Sequence, residues 1–394
     1  MKKWILPLLL VLCLLPLSCP AEGAVAVRKI NAIAPLDAPD NEAMRFLDAM
    51  GVGWNLGNTF DAYNDSPFMR NEMEIEKYWC QVYTTEAMIE SIHQAGFSTI
   101  RIPVSWHNHV SGPDFTISSA WLDRVQTVVD WAYDRGMVVI LNTHHDCSTK
   151  YYYPLDAYAE VSDRYIASIF RQLSERFRDY GERLVFESMN EPRLVNTQHE
   201  WWFDPDAAEC QEAMRCINRL NQLFVDTVRA SGGCNETRYL MVPSYDANPD
   251  YAVREEFVLP TDTADNRIIV SAHAYTPYSF ALEDGGTASF DLNNSAQTTE
   301  INRFMLALYH RYIEQGIPAV IGEFGARDKK GNLQARVDFA AYYVASAQAR
   351  HLPCIWWDNN AFQGHGELFG IYDRKNDAWP YPEILEAIMK NVLE

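Results

Sequence analysis

A few polar side chains interrupt runs that are otherwise apolar. Arg101 lies in Thr99–Trp106, His144-His145-Asp146 closes Val138–His145, and Asn190-Glu191-Pro192 closes Leu184–Asn190. His273 and Tyr275 end Ile268–Tyr275, Glu323 lies in Ala319–Phe324, and Trp356-Trp357 sit in Pro353–Asp358. A charge inside such a run must be paired or functional, because an unpaired ion is costly to desolvate. Glu191 and Glu323 stand apart. Two carboxylates facing across a pocket are what hydrolysis of a glycosidic bond needs. One protonates the leaving oxygen, while the other attacks the anomeric carbon or activates water.

The elements that must position these groups are legible too. With Gly51–Leu56 and Tyr239–Ser244, the apolar runs make eight strand candidates. Near-continuous apolar runs suit parallel strands covered on both faces. Between them lie amphipathic stretches, Ala87–Ala95, Ala120–Arg135 and Thr298–Gln315 with polar starts and Gly stops, then Gln334–Arg350 before the last strand and Tyr381–Leu393 as the final helix. The alternation predicts an α/β fold, a single (β/α)8 TIM barrel whose chemistry sits at the C-terminal ends of the strands. A doubly wound open sheet is the alternative, but no Gly-x-Gly-x-x-Gly follows a strand. Metal chemistry is weighed on His144-His145-Asp146. A zinc hydrolase on this fold would want His-x-His after the first strand, where the chain has Asn55-Leu56-Gly57-Asn58. No metal or cofactor is therefore expected. Glu187 reads as a structural ion-pair partner.

The ordered set Ile100-Arg101-Ile102-Pro103-Val104-Ser105-Trp106, Met189-Asn190-Glu191-Pro192, His273-Ala274-Tyr275 and Ile321-Gly322-Glu323-Phe324-Gly325 resembles glycoside hydrolase family 5. Gly53–Thr59, Thr143–Asp146 and Tyr275–Ala281 further resemble its subfamily of clostridial cellulosome endoglucanases and bacterial xyloglucanases. The resemblance implies a retaining endo-β-1,4-glucanase with Glu191 as general acid/base and Glu323 as nucleophile. It implies that Arg101 and Tyr275 hold Glu323 charged, and that Asn190 binds the sugar 2-hydroxyl. His144 and His273 would orient the sugar and the acid. One Trp of the last strand would be the platform beside the cleavage point. Neighbouring strand residues face opposite ways, so only one of Trp356 and Trp357 can serve, and Trp357 is favoured. His145 and Asn55 are expected to support the site. Retention needs the carboxyls about 5–5.5 Å apart, with the acid's pKa raised. Xyloglucan, lichenan and mannan are the alternative substrates, and a non-catalytic glycan-binding barrel is the remote one. Loop aromatics Trp79, Tyr151–Tyr153 and Trp201–Phe203 are candidate sugar platforms.

Composition agrees with a neutral substrate. The 394 residues carry 53 Asp+Glu against 33 Lys+Arg, a net charge of −20. Such a surface repels phosphate, so nucleic acid is not expected as a partner. Lys2-Lys3, the apolar run Trp4–Leu17 and the small residues after it read as a secretory leader over residues 1–23. Lipidation at Cys19 is the alternative exit. A lead-in over 24–50 and one hydrolase domain over 51–394 follow. A secreted, periplasmic or surface-held monomer with no membrane-spanning segment is expected, and its β-glucan substrate is its only expected partner. Cys80, Cys147, Cys210, Cys216, Cys234 and Cys354 remain, with no pairing readable.

Overall fold

The computed structural model describes residues 24–66 and 71–393; the leader and Cys19 lie outside them. Eight parallel strands close into a barrel. They are β1 (Val52–Leu56), β2 (Thr99–Ile102), β3 (Val138–Asn142) and β4 (Leu184–Glu187), then β5 (Leu240–Pro243), β6 (Ile268–His273), β7 (Ala319–Phe324) and β8 (Cys354–Asp358). Each pairs with the next, and β8 returns to β1 in the register Val52↔Cys354 to Leu56↔Asp358. Every strand residue is buried, as strands walled by helices outside and by filled layers inside must be.

The observed strands match the eight expected runs in order, and some stop earlier. β2 ends at Ile102 because Pro103 has no N–H for the ladder. Helices α1 (Glu42–Met50), α2 (Glu86–Gln94), α3 (Ser119–Asp134), α4 (Ala159–Arg176), α5 (Ala208–Ala230), α6 (Ser295–Arg311), α7 (Leu333–Gln348) and α8 (Pro382–Lys390) surround the barrel. The β5–β6 connection holds a 3-10 turn at Tyr245–Ala247 and the short helix Pro249–Ala252 in place of a full helix. α2 starts where its polar signal predicts, with the Thr85 hydroxyl accepting from the Met88 N–H. α4 and α5 go unannounced in the sequence, their starts falling at Tyr158 and Ala207 rather than at a Ser, Thr, Asp or Asn. α1 packs under the N-terminal ends of the strands, where Phe46 stacks on Tyr239 at 3.9 Å and Thr99 Oγ1 donates to Met50 O. The opposite rim is left for the loops. No helix among the described residues is long and apolar enough to cross a membrane. All of the described cysteines are free thiols.

Candidate active site

A ring of polar side chains fills the top layer of the barrel. Arg101 of β2 is its hub and is fully buried. Its Nε donates to Glu187 Oε2 at 2.8 Å, Nη1 to Glu323 Oε1 at 2.7 Å and Asn55 Oδ1 at 3.0 Å, and Nη2 to Asn190 Oδ1 at 2.7 Å. Burial works against a charged guanidinium, yet the carboxylates of Glu187 and Glu323 push its pKa up. Glu187 is also gripped by Ser271 Oγ at 2.6 Å and Asn142 Nδ2 at 2.9 Å. It is thus the ion-pair partner its position suggested. Residues from β1, β2, β3, β4, β6 and β7 meet in one hydrogen-bonded layer, which fixes their rotamers.

Glu323 lies 4% exposed, held by Arg101 on one oxygen and by the Tyr275 hydroxyl, at 2.8 Å, on the other. Burial and the Glu323 charge raise the Tyr275 pKa well above 10, so the phenol stays a donor. Glu191 stands across from it with a side chain 19% exposed to the cleft. His273 Nδ1 bridges the two, 2.8 Å from Glu191 Oε1 and 3.7 Å from Glu323 Oε1. A carboxylate oxygen of each glutamate lies within 4.8 Å of one on the other. Two local devices allow this approach. The β6–β7 register shifts between Ala272 and His273, aligning His273 with Glu323, and such a shift re-aims side chains. Gly322 gives the imidazole room, since a Cβ there would stand 3.1 Å from His273 Nε2.

The electrostatics depart from one expectation. Burial raises the Glu191 pKa, but His273, Arg193 and His145 outweigh it and take the carboxyl down to about 2. His273 moves up, because Glu323 and Glu191 outweigh its burial and the nearby Arg101. Each of the two thus favours the charged form of the other, and the Glu191 pKa is lowered where it was expected to be raised.

The cleft walls sort the remaining residues. Trp357 faces inward with Asn55, its register partner, and its ring lies parallel to His144 at 5.8 Å. Trp356 is excluded from the cleft: it is 0% exposed, edge-on to Phe324, and its indole N–H donates to Phe369 O. The two neighbouring rings thus lie in different surroundings, as alternation along a strand requires. His144 also contacts Asn142 at 3.2 Å. His145 is partly exposed among His144, Tyr63 and Trp79, at 4.5, 5.8 and 5.7 Å. Asp61, His144 and His145 offer ligand atoms within 4.8 Å of one another. The Asp61 oxygens are already taken by the backbone N–H groups of Asn58 and Thr59 at 2.9 and 2.7 Å. Trp201 and Trp202 stand 60% and 68% exposed beside Glu191's loop.

Several neighbours of the carboxylates carried no warning in the sequence. Asn142 and Ser271 are lone polar residues in strands. Arg193, two residues beyond Glu191, places Nη1 3.6 Å from Glu191 Oε2. Asp246, after β5, has an Oδ1 that is buried without a hydrogen-bond partner. Only the adjacency of Arg193 to Asn190-Glu191-Pro192 could have pointed to it.

Comparison with known proteins gives consistent matches. The profile of Cellulase (glycosyl hydrolase family 5) matches residues 61–363. Endoglucanase B of Ruminococcus albus is 40% identical over 341 residues, covering 86% of this chain and 78% of that one. A glycoside hydrolase family 5 lichenase of Caldicellulosiruptor sp. F32, solved with cellotetraose, is 51% identical with a TM-score of 0.92, covering 94% of this chain and all of its own. A broad-specificity endoglucanase of Ruminococcus champanellensis with bound cellotriose is 41% identical with a TM-score of 0.83, covering 90% of this chain and 100% of that one.

Proposed function

The chain belongs to glycoside hydrolase family 5, and on that footing we propose that it is an exported, retaining endo-β-1,4-glucanase acting on soluble or amorphous β-glucan. The observation that carries this is the pair of strand-end carboxylates, with oxygens within 4.8 Å, one of them clamped by Arg101 and Tyr275. Such close approach supports the carboxyl separation of about 5–5.5 Å in retaining enzymes over that of about 6.5–9.5 Å in inverting ones. Glu323 is the nucleophile, aimed by two donors, and Glu191 protonates the leaving oxygen and later activates water. Asn190 presents an amide to the sugar 2-hydroxyl while its oxygen is fixed by Arg101. Trp357 is the platform for the sugar at the cleavage point. The endoglucanase and lichenase relatives support a β-1,4-linked glucan backbone, and the leader pattern supports export.

The test is a panel of carboxymethylcellulose, mixed-linkage glucan and xyloglucan with product sizing. A rapid fall in viscosity with products of many lengths is expected on at least the first two. Release of a single short product from chain ends would refute endo action, and no hydrolysis of any of the three would refute the function.

Two further outcomes follow from the geometry. Gly57 lies flush against β8, so that a Cβ there would sit 2.8 Å from both the Asp358 carbonyl oxygen and Trp357 Cζ2. Gly57→Ala is expected to tilt the indole and lower kcat/KM on carboxymethylcellulose about tenfold, as loss of aligned stacking does. An unchanged kcat/KM would remove Trp357 from the platform role. The second concerns the Glu191–His273 pair. Glu191 is depressed from 4.5, so its contribution to stability is present above that value and is lost as pH falls toward about 2. His273 is raised from 6.5, so its contribution is present below that value and is lost as pH rises through the higher folded pKa. The difference in Tm between wild type and His273→Asn should therefore be largest between pH 4.5 and 6.5. A difference independent of pH would mean that no charge pair forms.

A further inference from the structure

Trp201 is an exposed ring on a loop that is not loose. Leu194 N–H donates to the Tyr245 hydroxyl at 3.0 Å, and that hydroxyl donates to His199 O. Phe203 is buried against Tyr245 and Tyr251, each at 5.4 Å. The loop is thus pinned at both ends while the indole between them is left in solvent. One face of the indole is covered by the Arg193 guanidinium, whose Cζ lies 3.9 Å from the ring centroid. That side chain is only 16% exposed, and its Nη1 donates to Glu191 O at 2.9 Å while standing 3.6 Å from Glu191 Oε2. Its Nε lies 3.6 Å from Glu200 Oε1. Arg193 is therefore wedged between the carboxyl that faces the leaving oxygen and an aromatic plate whose other face is open.

We propose that Trp201 is the sugar platform on the leaving-group side of the cleavage point, and that Arg193 is a positioning residue tying that platform to Glu191. The inference rests on the reading of Glu191 as the general acid. An open indole face accepts the apolar face of a β-linked glucose, whose hydroxyls project around the rim into water. A guanidinium behind the ring stiffens the plate and adds cation–π attraction, so that little ordering remains when the sugar arrives. The same cation faces Glu191 together with His273 from β6, His145 after β3, Glu323 from β7, Asp246 after β5 and Glu367 after β8. Removing it leaves the negative charge around Glu191 less compensated, so the acid holds its proton to higher pH.

Two substrates separate this role from general damage. Cellopentaose places glucose on the leaving side and needs protonation of its leaving oxygen, whereas 2,4-dinitrophenyl β-cellobioside has no sugar there and an activated leaving group. Trp201→Ala should lower kcat/KM for cellopentaose about tenfold further than for the aryl cellobioside, and Trp201→Phe should recover most of the difference. Arg193→Ala should show the same split and move the basic limb of kcat/KM to higher pH, with Arg193→Lys returning the limb toward wild type. Equal losses on both substrates, or a basic limb that stays in place in Arg193→Ala, would overturn the proposal. Failure of the underlying reading looks different: Glu191→Ala would then hydrolyse cellopentaose at the wild-type rate.

Discussion

Glu323→Ala is expected to lose roughly 10⁵-fold in kcat on carboxymethylcellulose, the scale on which removal of a covalent nucleophile acts. The variant should still fold, because Arg101 keeps Glu187, Asn55 and Asn190 as partners. Rate alone would not prove the role, since any damage to the site lowers it. The product does. In Glu323→Ala, azide can fill the vacated space and attack 2,4-dinitrophenyl β-cellobioside from the face opposite the leaving group, giving the α-glycosyl azide. In Glu191→Ala, Glu323 still displaces the activated leaving group and forms the α-linked glycosyl-enzyme. Azide then enters from Glu191's side and gives the β-glycosyl azide. Anomeric configuration by NMR reads each result. A β-azide from Glu323→Ala, or an α-azide from Glu191→Ala, would mean that the two roles are exchanged or wrong.

Much of this site could be read before the fold was seen, and the reason is physical. Glu191, Glu323, Arg101 and His273 are polar interruptions of strand-length apolar runs, and such runs in a barrel end at one rim. Strand parity showed that Trp356 and Trp357 could not share one surrounding, because alternation is a local property of the backbone. The outcomes that needed coordinates depend on groups distant in sequence. Ser271 and Asn142 look unremarkable alone and acquire meaning by gripping Glu187. The lowered pKa of Glu191 could not be anticipated, since it is set by His273 and Arg193 in balance with burial. α4 and α5 begin after Tyr158 and Ala207, residue types that carry no capping oxygen suited to announce a helix start.

The hub of the polar layer gives the second large effect. Arg101→Met should cost about 3–5 kcal/mol of stability, the range for breaking a buried ion pair by removing one partner. Two carboxylates are stranded by it. Glu187 keeps Ser271 Oγ and Asn142 Nδ2, whereas Glu323 keeps only the Tyr275 hydroxyl among its hydrogen bonds. Loss of the donor that aims Glu323 should also lower kcat on carboxymethylcellulose about a hundredfold. Arg101→Lys cannot restore the site, because one ammonium cannot span the fork that joins Glu187, Asn55, Glu323 and Asn190. The decisive measurement is the double variant Arg101→Met/Glu187→Gln. Neutralising Glu187 removes one stranded charge but leaves the nucleophile unsupported. Denaturant unfolding should therefore recover part of the lost stability, while kcat stays near that of the single Arg101 variant. If activity recovered with stability, Arg101 would matter only for folding. If Arg101→Met cost less than about 1 kcal/mol, the layer would not be the charged framework its distances describe.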